Sequence, residues 1–410
     1  MLGLETAAAS TSSLALALCL SHLVTAGFML PGGEPVRLRR SLIAAATATL
    51  LLFLLLSVLT LLLVGSRLGG GLPTLDLMWR YLTRTQSGQI WLAREGYGVL
   101  LATFIVLFAR RDPDRQLLRV AALLALPLVA SHSLTSHAVT VREGTAFVVA
   151  ADAVHLIATA LWGGGLIVLW RCLRFAKSQD GNAMSLRKIV VERFSLMAMV
   201  SVPIVFLTGL YQSWIHIGDF AALATTDYGK VLAVKLALFA VMLAIGAFNS
   251  LATKPLLARA DEKTAWLAGR KAARRIGAES LFGIAIFGVT GLLTLLPPGV
   301  HALHQTISES ASAAPQALQP AEGASVRILS PRPEQIFTSD RVPLKFELTK
   351  GERGHHVHAY VDGQLVGMFE SEQGTLNGIA PGLHVLELRV VTADHQTELA
   401  AQDHVEFLVK

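Results

Sequence analysis

The sequence predicts an all-α polytopic membrane bundle of about eight transmembrane helices, followed by a small all-β sandwich domain. Three observations carry this expectation. Of 410 residues, 53% are hydrophobic and only 16% charged, where soluble domains run nearer a quarter charged. Apolar runs of about 20 residues, long enough to cross a hydrocarbon core of about 30 Å, recur through the first three quarters of the chain. After Pro297-Pro298 the apolar pattern changes to an alternation of period two, the mark of half-buried strands.

The eight runs fall at 9–30, 41–64, 89–109, 117–137, 147–171, 192–215, 229–251 and 276–296. The first has no basic segment ahead of it, only Glu5, and its positive charges (Arg37, Arg39, Arg40) follow it. It therefore reads as a retained helix with its N-terminus outside, not as a cleaved signal. Twenty Lys and Arg fall in the loops after the first, third, fifth and seventh spans, against five in the alternate loops. The positive-inside rule then puts both termini on the outer side of the membrane. The net charge of +6 belongs to cytoplasmic loops, so the partner it implies is the lipid bilayer and not nucleic acid. Cys19 and Cys172 lie on different spans and form no CxxC pair, which excludes a disulfide framework or a thiolate metal site.

Residues 1–298 thus form the membrane domain. Residues 299–322, rich in Ala, Ser, Gln and Pro, read as a linker. Residues 323–410 carry the alternating runs "SVRILSP", "VPLKFELTK", "HHVHAYVDGQLVGMF", "GLHVLELRVV" and "HVEFLVK", split by Pro, Gly, Asp and Asn. That pattern predicts an antiparallel sandwich outside the membrane, with an Asp-Gly hairpin in "YVDGQLV".

Ionisable residues inside a membrane are costly and by default face the bundle interior. At 1.5 Å of rise per residue, Arg94, Glu95, His132, Asp152, His155 and Lys235 all sit about 8–12 Å below the outer surface, with His137 at the rim. Asp152 and His155, at i and i+3, share a helix face that Thr159 and Trp162 continue. Gly163, Gly164 and Gly165 permit close approach of a neighbouring helix. The charges of Arg94, Glu95, Asp152 and Lys235 sum to zero, so they can pair and leave the imidazoles available. The expectation is one outward-opening polar pocket. Imidazoles with a carboxylate suit Cu, Zn, Fe or Ni, and Met197, Met199 and Met242 on the sixth and seventh spans suit copper or plain packing. The residues alone select a transition metal or haem.

"RFSLMAMVSVPIVFLTGLYQSW", "TTDYGKVLAVKLALFAVMLAIGAFNS", a basic loop and a last span containing Glu279 follow one another from Arg193 to Leu296, after "HLIATALWGGGL" upstream. In this order they resemble the CopD family of copper resistance membrane proteins. The resemblance marks His155, Trp162, Gly163, Gly164, Arg193, Phe194, Ser195, Thr208, Gly209, Tyr228, Gly229, Lys235 and Asn249 as pattern positions. It implies an inner-membrane protein that moves copper from periplasm to cytoplasm, with a periplasmic copper-binding protein as a possible donor. The C-terminal "GHHVHAYVDG" and "PGLHVLELRVVTADHQ" look like a periplasmic immunoglobulin-like domain.

In that domain His356 and His358 are two apart on a strand and share a face; His384, His395 and His404 add further imidazoles. A His-x-His face with one cross-strand His is a candidate Cu(II) or Zn(II) site, equally an exposed polar face. The expected metal ligands are therefore His132, His137, Asp152, His155, His356 and His358, with Arg94, Glu95 and Lys235 as pocket ion pairs. No Walker A motif or nucleotide fold is present, which predicts a permease and not an enzyme, passive or ion-coupled, with Asp152 or Glu95 as proton-linked groups. Two alternatives stand beside it: a redox protein holding b-type haem between His132 and His155 or a quinone, and a copper-delivery factor for another membrane enzyme.

Overall fold

The computed structural model describes residues 2–31, 36–69, 73–109, 114–135, 145–175, 183–217, 220–260, 264–296, 319–339, 341–376, 379, 382–393 and 397–409. The chain separates into two units, residues 1–302 and 303–410, each with its own core.

Among the described residues the first unit contains eight helices long and apolar enough to span a membrane, from Gly3–Met29 through Trp266–Leu293. The expected eight-helix bundle is present, each span at its expected place. Its helices are α1 (Leu2–Val24), α2 (Val36–Gly69), α3 (Leu75–Arg84), α4 (Gln86–Phe104), α5 (Arg115–Ala130), α6 (Thr145–Thr159), α7 (Gly165–Phe175), α8 (Ala183–Ile217), α9 (Phe220–Thr225), α10 (Asp227–Ala258) and α11 (Ala265–Leu293). Helices α3 and α9 are short pieces between spans that the apolar runs did not reveal. In α3 a Thr74 N-cap and an Asp76–Arg80 pair stabilise the turn.

Three spans contain π-helical turns, at Thr25–Met29, Ile105–Ala109 and Ala160–Gly164. The last joins α6 to α7 as one span. A π turn frees main-chain carbonyls that must find other donors. Ser21 Oγ donates to the Ala160 carbonyl at 2.7 Å, and the Gly164 main chain lies close against Ala17 of α1.

Helix α1 is the axis of the unit: 72% of its apolar window is buried inside the protein, against 11% for α10. It packs on α2, α5, α7 and α11. Its C-terminal carbonyls are capped by arginines from two other spans. Arg193 Nη1 reaches the Phe28, Met29 and Leu30 carbonyls at 3.2, 3.2 and 2.9 Å. Arg119 donates to Gly27 O at 3.1 Å and Arg115 to Leu30 O at 2.6 Å. Cations at a helix C-terminus satisfy both the orphan acceptors and the dipole.

The second unit is a two-sheet β domain. Its strands are β1 (Ser325–Ser330), β2 (Gln335–Phe337), β3 (Val342–Thr349), β4 (Gly354–Val361), β5 (Gln364–Phe369), β6 (Gln373–Leu376), β7 (Gly382–Thr392) and β8 (Glu398–Val409). One sheet has the order β1-β3-β6 and the other β2-β8-β7-β4-β5. Alternate residues Val357, Ala359 and Val361 of β4 enter the core with Leu386, Leu388 and Val390 of β7. The Asp-Gly hairpin forms as expected: Asp362 (φ 52°) and Gly363 (φ 79°) both take positive φ between β4 and β5. Two expectations change. Strand β2 pairs in parallel with β8, because the chain crosses from one sheet to the other between β1 and β2. Gln319 bridges to Leu399 and accepts from Arg353, so the end of the expected linker belongs to this domain.

Candidate functional site

The structure divides the expected single pocket into two constellations. In the first, the α5 span does not continue as α-helix to its end. Beyond Pro127 it tightens into a 3₁₀ turn over Ser131–Thr135, where each residue advances about 120° instead of about 100°. His132 packs its ring on Phe53 of α2, with centroids 5.6 Å apart, and lies within electrostatic reach of Arg94. Arg94 reaches Thr135 Oγ1 at 3.4 Å, and Glu95 stands between Arg94 and Ser57. Among the described residues Arg94 Nε and His132 Nε2 are buried without a hydrogen-bond partner, while Ser57 is a hydrogen-bond partner of Glu95. These two atoms, from α4 and the 3₁₀ turn, are where water or another polar group would complete the bonding.

The second constellation is built by α6, α8 and α10. Asp152 is buried and interacts electrostatically with Lys235 and Tyr228 of α10. One turn along α6, His155 Nδ1 lies 2.9 Å from Thr208 Oγ1 of α8. Thr208 donates its only hydroxyl proton to Ile204 O at 2.5 Å. Its oxygen can therefore only accept from the imidazole, so His155 carries its proton on Nδ1. That leaves the Nε2 lone pair for a ligand, the second-shell device by which proteins present a metal-binding imidazole. Gly209 makes room for the ring: a Cβ there would lie 3.3 Å from His155 Cε1.

His132 and His155 thus face different helices, which removes the three-ligand cup expected of His132, Asp152 and His155. Among the described residues no group of three His, Cys, Asp or Glu side chains converges as a metal centre. His137 and His395 lie outside the described residues. Met242 is buried, and with Met197 it lines the close contacts of Gly283 and Gly165, which is packing. The residue patterns did not disclose the Thr208 acceptor, although Thr208 and Gly209 both stand among the pattern positions. A further buried pair lies on α10 and α11, where Asn249 Nδ2 donates to Glu279 Oε2 at 2.7 Å.

In the β domain His356 and His358 share one sheet face, as expected, but neither is exposed: they are 1% and 6% accessible. Their Nε2 atoms lie 3.2 Å apart. His384 is taken by Asp362, whose carboxylate lies 2.7 Å from Nδ1. Bonds from the Val385 main-chain N–H and from His384 hold that carboxylate below its usual range.

A bundle of eight spans with two sets of histidine, carboxylate and cation set at least half-buried among its helices is a polytopic membrane protein with polar groups between its spans. Residues 6–146 match the copper resistance protein D-like N-terminal domain, and residues 188–293 match copper resistance protein D. The chain belongs to the copper resistance protein D (CopD) family. Among its relatives, copper transport protein CutJ of Bacillus subtilis is 29% identical over 53% of this chain and 38% of its own length. Copper resistance protein D of Pseudomonas syringae pv. tomato is 26% identical over 62% of this chain and 84% of its own. Inner membrane protein YebZ of Escherichia coli is 27% identical over 46% of this chain and 62% of its own. The chain therefore spans well under half of CutJ. The fibronectin(III)-like modules of Clostridium thermocellum CbhA match at 20% identity over 21% of this chain and 94% of theirs, with a TM-score of 0.18.

Proposed function

We propose that this chain is an inner-membrane copper permease, with both termini periplasmic, that takes copper toward the cytoplasm past His155. One observation carries the reading: Thr208, whose hydroxyl proton goes to Ile204 O, accepts from His155 Nδ1, which leaves Nε2 as the ligand nitrogen one turn along α6 from Asp152. Neutral imidazole nitrogen with carboxylate oxygen suits copper among the first-row cations. The relatives named for copper transport and copper resistance supply the choice of metal. Asp152 then serves as the anionic partner of the cargo and Lys235 as its counter-ion when the site is empty. The His132–Arg94–Glu95 set serves as a second polar station on the route, with His137 at the entrance. Copper is cargo here and not a resident catalytic cofactor, so the protein acts without being an enzyme. A periplasmic copper-binding protein is the fitting donor.

Copper accumulation by cells expressing His155→Ala tests the reading. Accumulation should fall to that of cells lacking the protein while the amount of protein in the membrane is unchanged; uptake equal to wild type would overturn it. Thr208→Val, which removes the acceptor and frees the tautomer, should weaken uptake about 10- to 100-fold, the usual cost of losing a second-shell partner.

A further inference from the structure

The outer face of the five-stranded sheet holds a chain of ring nitrogens that the membrane unit's chemistry does not use. His355 Nδ1 lies 3.4 Å from His356 Nδ1, and His356 Nε2 lies 3.2 Å from His358 Nε2. On its other edge, His358 Nδ1 is 3.9 Å from Glu398 of β8. Glu398 is fixed in turn by the Tyr360 hydroxyl at 2.5 Å and by Arg389 at 2.7 Å. Arg389 lies 4.7 Å over the Tyr360 ring and also bonds Glu387 at 2.8 Å. The Glu398 carboxylate thus stands 3.9 Å behind the outer nitrogen of His358.

We propose that His356 Nε2 and His358 Nε2 form a two-imidazole chelate for a divalent cation of the copper and zinc class, with Glu398 as the outer partner that orients His358. Metal–imidazole bonds are about 2.0–2.1 Å, and nitrogens 3.2 Å apart then subtend about 103° at the ion, near the tetrahedral value. The ring centroids give an independent check. With each centre about 1.15 Å behind its nitrogen, that same ion position requires centroids about 5.0 Å apart, and they are 5.0 Å apart. Two imidazoles aligned along a straight N–H···N bond of 3.2 Å would put the centres about 5.5 Å apart. The rings converge on a point between them.

His358 turns Nδ1 toward Glu398, 3.9 Å away, and Nε2 toward His356. Copper outranks zinc at nitrogen sites of this kind. The inference takes from the proposed function only the choice of copper as first probe.

The test uses the purified full chain in detergent, titrated with CuSO4 and, separately, ZnCl2. Wild type should show one Cu(II) whose electron paramagnetic resonance spectrum is split by two nitrogens, and Cu(II) should displace Zn(II) bound first at this site. His356→Asn and His358→Asn should lose that ion and that splitting, with affinity down at least 100-fold. Glu398→Gln should keep the spectrum and bind about 10- to 100-fold more weakly. His384→Asn, which removes a histidine already engaged by Asp362, should bind as wild type, and so should His155→Ala at this site. Identical copper stoichiometry and spectra in wild type and both Asn variants would overturn the proposal. So would a wild type without a two-nitrogen Cu(II) signal, which would leave the pair a hydrogen-bonded couple only. Loss of copper uptake in His155→Ala with this signal intact, or the reverse, separates this site from the membrane route.

Discussion

Two neighbouring glycines should respond in opposite ways to the same substitution. In Gly164→Ala the new Cβ would meet Ala17 O at 2.9 Å, the Ala17 carbonyl carbon at 3.1 Å and Ser21 Oγ at 2.7 Å. Two of the three are main-chain atoms of the central helix, so relief requires α1 to shift by about 0.5 Å against a close-packed core. Overpacking of this kind costs about 1–3 kcal/mol. Displacing Ser21 from Ala160 O adds about 1 kcal/mol, while the better helix propensity of Ala returns up to about 1 kcal/mol. The net is a loss of about 1–3 kcal/mol. In Gly163→Ala the nearest atom is Phe287 Cε2 at 3.4 Å, an ordinary contact, and only the propensity gain remains. Thermal unfolding of the purified protein in detergent reads the difference. At about 2–4 °C per kcal/mol for a domain of this size, Gly164→Ala should melt about 2–12 °C below wild type, and Gly163→Ala at or slightly above it. Equal melting temperatures for the two variants would refute the assignment of α1 as the helix that Gly164 admits.

Arg193→Gln should destabilise the membrane unit by about 2–3 kcal/mol, because three carbonyls at the end of α1 lose a charged donor; Arg193→Lys should recover only part, since the lysine side chain is shorter and its ammonium more strongly hydrated. Unfolding in detergent measures both, and a neutral Arg193→Gln would remove the capping argument. In the β domain, Glu398 is depressed from 4.5 to about 2, so its contribution is fully present above about pH 4.5 and is lost as the pH falls toward 2. For this carboxylate, only 14% exposed, that amounts to about 3 kcal/mol. The stability difference between wild type and Glu398→Gln should be largest at pH 7 and vanish near pH 2; a difference independent of pH would contradict it.

The spans were legible because each needs about 20 apolar residues whatever its neighbours do, and the Asp362-Gly363 hairpin because the turn demands positive φ at both positions. What joins one span to another was not. Arg115, Arg119 and Arg193 read as loop charges that set orientation, yet they also close the end of α1, a contact between residues far apart in sequence. The depth of His132 and His155 followed from helical rise, but the helix each faces depended on the 3₁₀ turn after Pro127 and the π turn at Ala160, which alter the rotation and leave no mark in an apolar pattern. For His356 and His358, period two gave the shared face. Glu398, Tyr360 and Arg389 come from three strands and could be assembled only once β4, β7 and β8 were in register.

Each membrane constellation contains one carboxylate and one fixed cation: Glu95 with Arg94, and Asp152 with Lys235. An empty site is therefore neutral, which keeps its burial tolerable. A copper ion entering beside His155 adds charge next to Lys235 and must compete with that ammonium for Asp152. Lys235→Met should then have two linked effects. Without metal, the Asp152 carboxylate loses its Lys235 counter-charge, which should destabilise the protein by about 1–3 kcal/mol. With copper, the ion replaces the missing cation, so the rise in melting temperature on adding the metal should exceed that of wild type. Asp152→Asn/Lys235→Met removes both charges and should restore stability without metal while abolishing the extra response. A Lys235→Met protein that gains no more from copper than wild type would mean that the ion does not enter where Asp152 and Lys235 meet.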